Sequence, residues 1–162
     1  MFNTMKPTKI YTLGDYYNDE GLRYFCHEIA CHRNIELISN YLFETFKKDI
    51  PENSIMIPVP FSGLSLVYAF KPEFSIMDPF VKCSFISAYA LKKKGEELTP
   101  DKIGLIVSTF FDMSRLDGHN IILVDNVIDT GSTMAKCMEL LKRPCEAMCI
   151  AVNWENYNNH NF

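Results

Sequence analysis

Apolar positions recur along the chain in two rhythms, and their order predicts the architecture. Lys9 to Leu13 reads as a short strand ending at a Gly14-Asp15 turn. Leu22, Phe25, Cys26, Ile29 and Ala30 then recur at the spacing of one helical face. Ile35, Ile38, Tyr41, Leu42 and Phe46 predict a second amphipathic helix, with Asn34 a candidate N-cap and Pro51 closing the region. From there strands and helices alternate. Ser54 to Val59 is an apolar run ending in Pro58-Val59-Pro60 and then Ser62-Gly63, which reads as a buried strand entering a turn. Ser65 to Phe70 predicts a helix stopped by Pro72, Phe80 to Ala90 contains a strand, and Leu91 to Glu97 reads as a charged, flexible connection.

Thr99-Pro100-Asp101 has the form of a helix start, with Thr99 as cap and Pro100 in the first helical position. Ile103, Ile106, Val107 and Phe110 support a helix there, while the Ile-Val-rich run Ile103 to Phe111 also reads as a strand. Asp117-Gly118 predicts a turn before the strongest strand signal, Ile121 to Val124. A helix over Ser132 to Lys142 and a last strand over Ala147 to Val152 follow, and then a short Asn-rich tail, Glu155 to Phe162. Strands alternating with helices imply an α/β fold with a parallel sheet and helical crossovers.

Composition narrows the class. The 162 residues fit a single domain with a substantial core, made bulky by 12 Phe and 8 Tyr. A net charge of −4 gives no general attraction to nucleic acid or to an anionic membrane, so a polyanion must meet a local site. No apolar stretch approaches the length of a membrane span, and Met1 to Asp15 lacks the basic-then-apolar pattern of a signal peptide. The six cysteines are therefore expected as free thiols in a reducing cytoplasm.

Chemistry concentrates in Ile121 to Met134. Four apolar residues deliver the chain to the carboxyl end of a strand, where Asp125 stands, followed by Asn126, Asp129 and the turn Thr130-Gly131-Ser132-Thr133 that opens a helix. Open parallel sheets bind ligands at this edge. Unbonded amides at a helix start, with small hydroxyl side chains, suit a phosphate dianion, and Gly131 lets the backbone approach it. Asp125 can accept hydrogen bonds from vicinal hydroxyls, as a carboxylate that binds a ribose does.

This segment resembles the phosphoribosyl pyrophosphate loop of type I phosphoribosyltransferases: four apolar residues, two acids, two apolar residues and a Thr-Gly-x-Thr-like turn. The resemblance implies a single domain over residues 1–162, with a core over 54–152 and an N-terminal helical hood over 1–50. It implies Asp125 and Asn126 on the ribose hydroxyls, Asp129 as the catalytic residue near the nucleophile, and Thr130, Gly131, Ser132 and Thr133 on the 5′-phosphate. Asn126 departs from the family, which usually has a second acid there. Phe61-Ser62-Gly63-Leu64 resembles the pyrophosphate loop, making Ser62 and Gly63 substrate contacts, though without the usual Lys or Arg. Lys92, within Leu91 to Glu97, falls where the family has a mobile catalytic loop. The implied activity is phosphoribosyl transfer from phosphoribosyl pyrophosphate to a nitrogenous base, with Mg2+ carried on the pyrophosphate. The alternative is a regulatory protein that binds a phosphoribosyl metabolite or nucleotide without turnover. A second copy of the chain is a further candidate partner.

Other readings are weaker. Gly131 is not followed by the Gly-Lys-Ser/Thr of a nucleotide P-loop. A phosphoacceptor receiver places its strand-end acids early in the chain, whereas Asp125 lies late. Cys26, His27, Cys31 and His32 do not make a convincing tetrahedral zinc set on one helix, so no protein-held metal is expected. Cys145 and Cys149 read as packing residues, and Trp154 as a core or interface residue or a surface for a base.

Overall fold

Every residue of Ser54–Pro58 and Glu146–Val152 is buried, and so is all of Asn120–Val124 after its first residue. Runs with no solvent face belong at the centre of a sheet covered on both sides. The computed structural model, which describes residues 6–27, 32–69, 74–82 and 93–160, places them there. The elements in chain order are β1 (Ile10–Asp15), α1 (Glu20–His27), α2 (His32–Phe46), β2 (Ser54–Pro58), α3 (Ser62–Ala69), β3 (Ser75–Ile76), β4 (Phe80–Lys82), β5 (Leu105–Val107), β6 (Asn120–Val124), β7 (Val127–Ile128), α4 (Ser132–Leu141), β8 (Glu146–Val152) and α5 (Trp154–Asn159).

The main sheet is parallel throughout, ordered β1-β8-β6-β2-β3, with β7 paired to the far end of β8. β4 and β5 form a separate antiparallel ladder. Pro58 is level with Val124, and Val124 with Met148, so β2 and β6 end together while β8 runs on to Val152.

Alternation along each strand divides the core between two layers. Ile121 and Leu123 face the α4 side with Met134, Cys137, Met138 and Leu141. Ile122 and Val124 face the other side, where α1, α2 and α3 contribute Leu22, Ile38, Leu42, Phe43, Leu66 and Val67. Cys26, Cys137, Cys145 and Cys149 are buried free thiols. At the amino-terminal ends of the strands a buried polar knot joins four of them. The Tyr11 hydroxyl donates to Glu146 Oε2 at 2.8 Å, while Asn120 Nδ2 donates to Glu146 Oε1 and, at 3.0 Å, to Ser54 Oγ. Burial and the neighbouring Glu146 carboxylate push the Tyr11 phenol upward. Bonds of this kind register the strands where apolar packing alone would tolerate a slip.

Several expectations need correction. Gly14 and Asp15 lie inside β1 rather than in a turn. The chain reverses one step later, where Asp15 Oδ1 accepts the amides of Tyr17 (2.8 Å) and Asn18 (3.2 Å). The described helix α2 begins at His32, ahead of the candidate cap Asn34. Ser62 and Gly63 open α3 instead of forming a turn before it. After Thr99 there is a single 3-10 turn, Pro100–Lys102, and the following Ile-Val run is strand β5, so the strand reading of that stretch holds. Thr99 bonds the Asp101 carboxylate and not a backbone amide. Of the strand expected in Phe80 to Ala90, Phe80–Lys82 is present, and residues 83–90 lie outside the described residues. The N-terminal segment does more than append helices: β1 is an edge strand of the main sheet, and α1 and α2 cover one of its faces.

The start of α3 is held hard against β6. A Cβ on Gly63 would lie 2.0 Å from the Val124 carbonyl oxygen, while Val59 N donates to that oxygen at 2.8 Å and Gly63 N donates to Val59 O at 2.9 Å. Backbone cannot yield as a flexible side chain does. Gly63→Ala is therefore expected to lower the unfolding free energy by roughly 2 kcal/mol or more, read from urea denaturation midpoints; parental stability would mean this contact is looser than drawn.

Candidate functional site

Beyond Val124 the chain leaves β6 and is caught by the overhanging end of β8. Asp125 N donates to Met148 O at 3.0 Å, Asn126 O accepts Ile150 N at 2.9 Å, and β7 then pairs Val127 with Ala151 and Ile128 with Val152. Asp125 thus sits at the carboxyl edge of the sheet, its Oδ1 accepting the Asn126 amide at 2.8 Å. Burial pushes its carboxyl up to about 7, against the smaller downward pull of that amide and of the Lys82 charge.

Asn126 is tied into the protein at both ends of its side chain. Its Oδ1 accepts Val127 N at 2.9 Å and its Nδ2 donates to Cys26 O at 3.3 Å, while the Cys26 thiol lies 3.9 Å from Asn126 O. The end of α1 is therefore clasped to the loop by an amide, and a carboxylate could not donate to Cys26 O. Burial, and then the nearby Asp125, raise the Cys26 thiol to about 12, so it stays protonated at neutral pH.

Asp129 follows β7 and lines the same cleft. Its Oδ1 accepts Asn153 Nδ2 at 2.8 Å and Asn156 Nδ2 at 2.7 Å. The next residues form the turn into α4. Gly131 adopts φ +88°, a left-handed conformation that favours glycine, and the edge of Tyr157 lies about where its Cβ would go, at 3.0 Å. Thr130 Oγ1 and Ser132 Oγ are 2.8 Å apart, and Ser132 Oγ donates to Leu98 O at 2.8 Å. The first i→i−4 bond of α4 runs from Ala135 N to Gly131 O, so the amides of Thr133 and Met134 have no helical carbonyl to meet. Asp125, Asp129 and residues 130–134 line a cleft of about 270 Å³ together with Glu96, Glu97 and Leu98.

The structure brings Asp125, Asp129, Thr130, Gly131, Ser132 and Thr133 to this one cleft. Gly63 packs against the β6 backbone, and Ser62 is half-buried beside it at the start of α3. Lys92 lies outside the described residues. Glu96 and Glu97, from the segment expected to supply positive charge, put carboxylates at the cleft wall. Lys102 Nζ lies 3.9 Å from Glu96 and His160 Nδ1 3.1 Å from Glu97.

Three residues escaped sequence reasoning. Lys82, from β4, sits over the Phe61 ring at 5.1 Å and bears on Asp125. Nothing in the Phe80-Val81-Lys82 string marks it, because its place depends on a two-strand ladder. Asn156 was visible only within an Asn-rich tail and Asn153 not at all; here they lie in the first turn of α5 and at its N-cap. Trp154 packs half-buried against the core, edge-on to Tyr157 at 5.8 Å. Of the suspected zinc cluster, Cys26 is buried, Cys31 lies outside the described residues, and no metal-binding group occurs among the described residues.

A parallel α/β sheet with acids and a hydroxyl-rich helix start at its carboxyl edge is a setting in which such folds bind anionic ligands. The sequence matches the model of the phosphoribosyl transferase domain over residues 27–156, and the chain belongs to the type I phosphoribosyltransferase family. Among solved structures, a hypoxanthine phosphoribosyltransferase from Staphylococcus aureus is 15% identical with a TM-score of 0.46, covering 74% of this chain and 62% of its own. A purine phosphoribosyltransferase from Pyrococcus horikoshii Ot3 is 20% identical at 0.42, covering 73% of each chain. A hypothetical protein from Neisseria gonorrhoeae with bound ppGpp is 20% identical at 0.40, covering 93% of this chain and 72% of its own. This chain thus spans less than two thirds of the first of these. No curated protein matches.

The Asn126 clasp makes a direct prediction. Asn126→Asp replaces a donor to Cys26 O by a second acceptor and is expected to destabilise the fold by about 1 kcal/mol or more, measured by urea denaturation. Faster amide hydrogen exchange in α1 should accompany it. A variant as stable as the parent, with unchanged exchange, would mean that the clasp does not hold the helix.

Proposed function

We propose that the protein transfers a phosphoribosyl group from phosphoribosyl pyrophosphate to a nitrogenous base or related acceptor. The observation that carries this reading is the meeting in one cleft of Asp125, Asp129 and the Thr130–Thr133 turn with the first amides of α4. The turn takes the 5′-phosphate through amides and hydroxyls, and Gly131 supplies the left-handed bend that shapes it. Asp125 accepts the ribose hydroxyls. With the sugar anchored at both points, the bond from its anomeric carbon to pyrophosphate breaks, positive charge develops on that carbon, and a nitrogen of the acceptor bonds to it. Asp129 takes or balances the proton that the nitrogen sheds.

The donor set fits a magnesium ion that arrives on the substrate rather than a resident one. Asp125 is the one acid at the end of β6, and Asn126 is occupied by Cys26 and Val127. Bound with substrate, the ion would neutralise pyrophosphate, and Lys82, over the Phe61 ring, adds a positive charge that acts on Asp125.

Asp125 gives a pH test with a definite sign. Ribose hydroxyls donate to a carboxylate, so affinity for ribose 5-phosphate should rise as pH climbs through about 7. The ligand's own phosphate ionisation is shared with Asp125→Asn, which should bind weakly and lack the component near 7. The sign for stability is opposite. A carboxyl raised from its ordinary value to about 7 favours the native state while protonated, and that benefit declines as pH rises from the ordinary carboxylate range through about 7. Asp125→Asn should therefore gain stability relative to the parent across that window, read by thermal melts at several pH values. Equal pH profiles for the two proteins would remove this role for Asp125.

Turnover is tested by pyrophosphate release from phosphoribosyl pyrophosphate with a panel of purine and pyrimidine bases and Mg2+. Asp129→Asn should keep phosphoribosyl pyrophosphate affinity within a few fold and slow release by roughly a hundredfold. One observation favours a second reading, binding without turnover: the family's second acid is here an amide engaged within the protein. Tight binding with no release for any base would favour it.

A further inference from the structure

The pair Asn153 and Asn156 has no part in the roles assigned above, yet it makes two short side-chain contacts with Asp129. Its placement follows from the sheet. The parallel register Val127↔Ala151, Ile128↔Val152 carries one step further to Asp129 beside Asn153, and Asn153 N donates to Ile128 O at 2.8 Å. The Asn153 amide is then oriented without ambiguity. Its Oδ1 accepts Asn156 N at 3.2 Å as the N-cap of α5, so its Nδ2 is the atom that faces Asp129, at 2.8 Å. The cap in turn sets the first turn of α5 and delivers the side chain of Asn156, whose Nδ2 reaches the same Asp129 oxygen at 2.7 Å. An amide oxygen in that place would repel the carboxylate, so both contacts are N–H donations.

We infer that Asn153 and Asn156 are positioning residues for Asp129, holding its carboxylate in a fixed direction as an acceptor toward the base end of the ligand and making α5 the element that selects ligands bearing a nitrogen donor there. The inference rests on the phosphoribosyl reading and deepens it. Two donors on one oxygen remove the rotational freedom of a lone aspartate on a loop. A carboxylate so held can recognise an N–H on an acceptor. The phosphate turn follows Asp129 directly in the chain and has a brace of its own, from Ser132 to Leu98. Tyr157 of the same helix packs against Gly131 of that turn, so base recognition and phosphate anchoring are separable at Asn156 and not at every position of α5.

Asn156 is the position to test, because its side chain is on the surface and its backbone cap does not depend on its own amide. Asn156→Ala removes one donor, and the near-isosteric Asn156→Asp sets a second carboxylate against Asp129. Both would be titrated calorimetrically with ribose 5-phosphate and with AMP, GMP and UMP. The expected result is ribose 5-phosphate affinity within twofold of the parent, and about tenfold weaker binding of whichever nucleotide the parent prefers, with Asn156→Asp at least as impaired as Asn156→Ala. Equal losses for both ligand types would mean a merely structural role and would overturn the assignment, as would unchanged nucleotide affinity. A parent that binds ribose 5-phosphate but gains nothing from any base overturns it while leaving the phosphoribosyl reading intact. A parent that binds none of these ligands overturns both.

Discussion

The rest of the site depends on the overhang of β8 beyond its neighbour. β6 stops at Val124, level with Met148, and the remaining residues of β8 would present unpaired backbone groups on that side. Buried backbone donors and acceptors must be bonded, so the chain leaving β6 is drawn back onto the same edge as β7. That second pairing turns Asp125 and Asn126 into a short link between two pieces of strand. It also sets Asp129 next to Asn153 and fixes where α4 can begin. A shorter β8 would leave the loop without a wall.

Polar groups in this loop are largely bonded before any ligand arrives, and the pattern separates scaffolding from recognition. Asn126 spends its amide on Cys26 and Val127, Ser132 its hydroxyl on Leu98, and Asp129 one oxygen on α5. Preorganisation of this kind reduces the ordering cost of binding. Asp125 is the exception. Its raised titration point records a carboxyl buried more than its internal bond compensates. Groups under-solvated in this way are often functional, here with a named cause and a cleft beside them.

Legibility in the sequence followed the range of the interactions involved. Ile121 to Val124 and Ser132 onward were plain because burial on both faces and helix periodicity are written within a few residues, and the acid-turn segment between them was recognisable for the same reason. The two-strand ladder that carries Lys82 was not, because β4 and β5 are short and pair with each other across a long separation. The opening of α3 was misread for a different reason. Gly63 looks like a turn former, and its actual constraint is the Val124 carbonyl from another strand. The Asn-rich tail looked featureless because its meaning lies in the β7–β8 register, which no local pattern encodes.

A polyanionic substrate meets a cleft that is itself rich in acids, and the charge balance explains how such a site works on the proposed reading. At its rim Lys102 stands near Glu96 and the His160 ring meets Glu97. The phosphate end is served by helix-start amides, which supply positive potential without a side-chain cation. The sugar end is served by a carboxyl that titrates near neutrality, so the cleft does not hold a full charge there until hydroxyl donors stabilise it. On that reading, binding a ribose would shift Asp125 toward its ionised form and release a proton. The energy of the sugar contacts is partly spent on creating the negative charge that faces the developing cation at the anomeric carbon, where charge is of most use to the transition state.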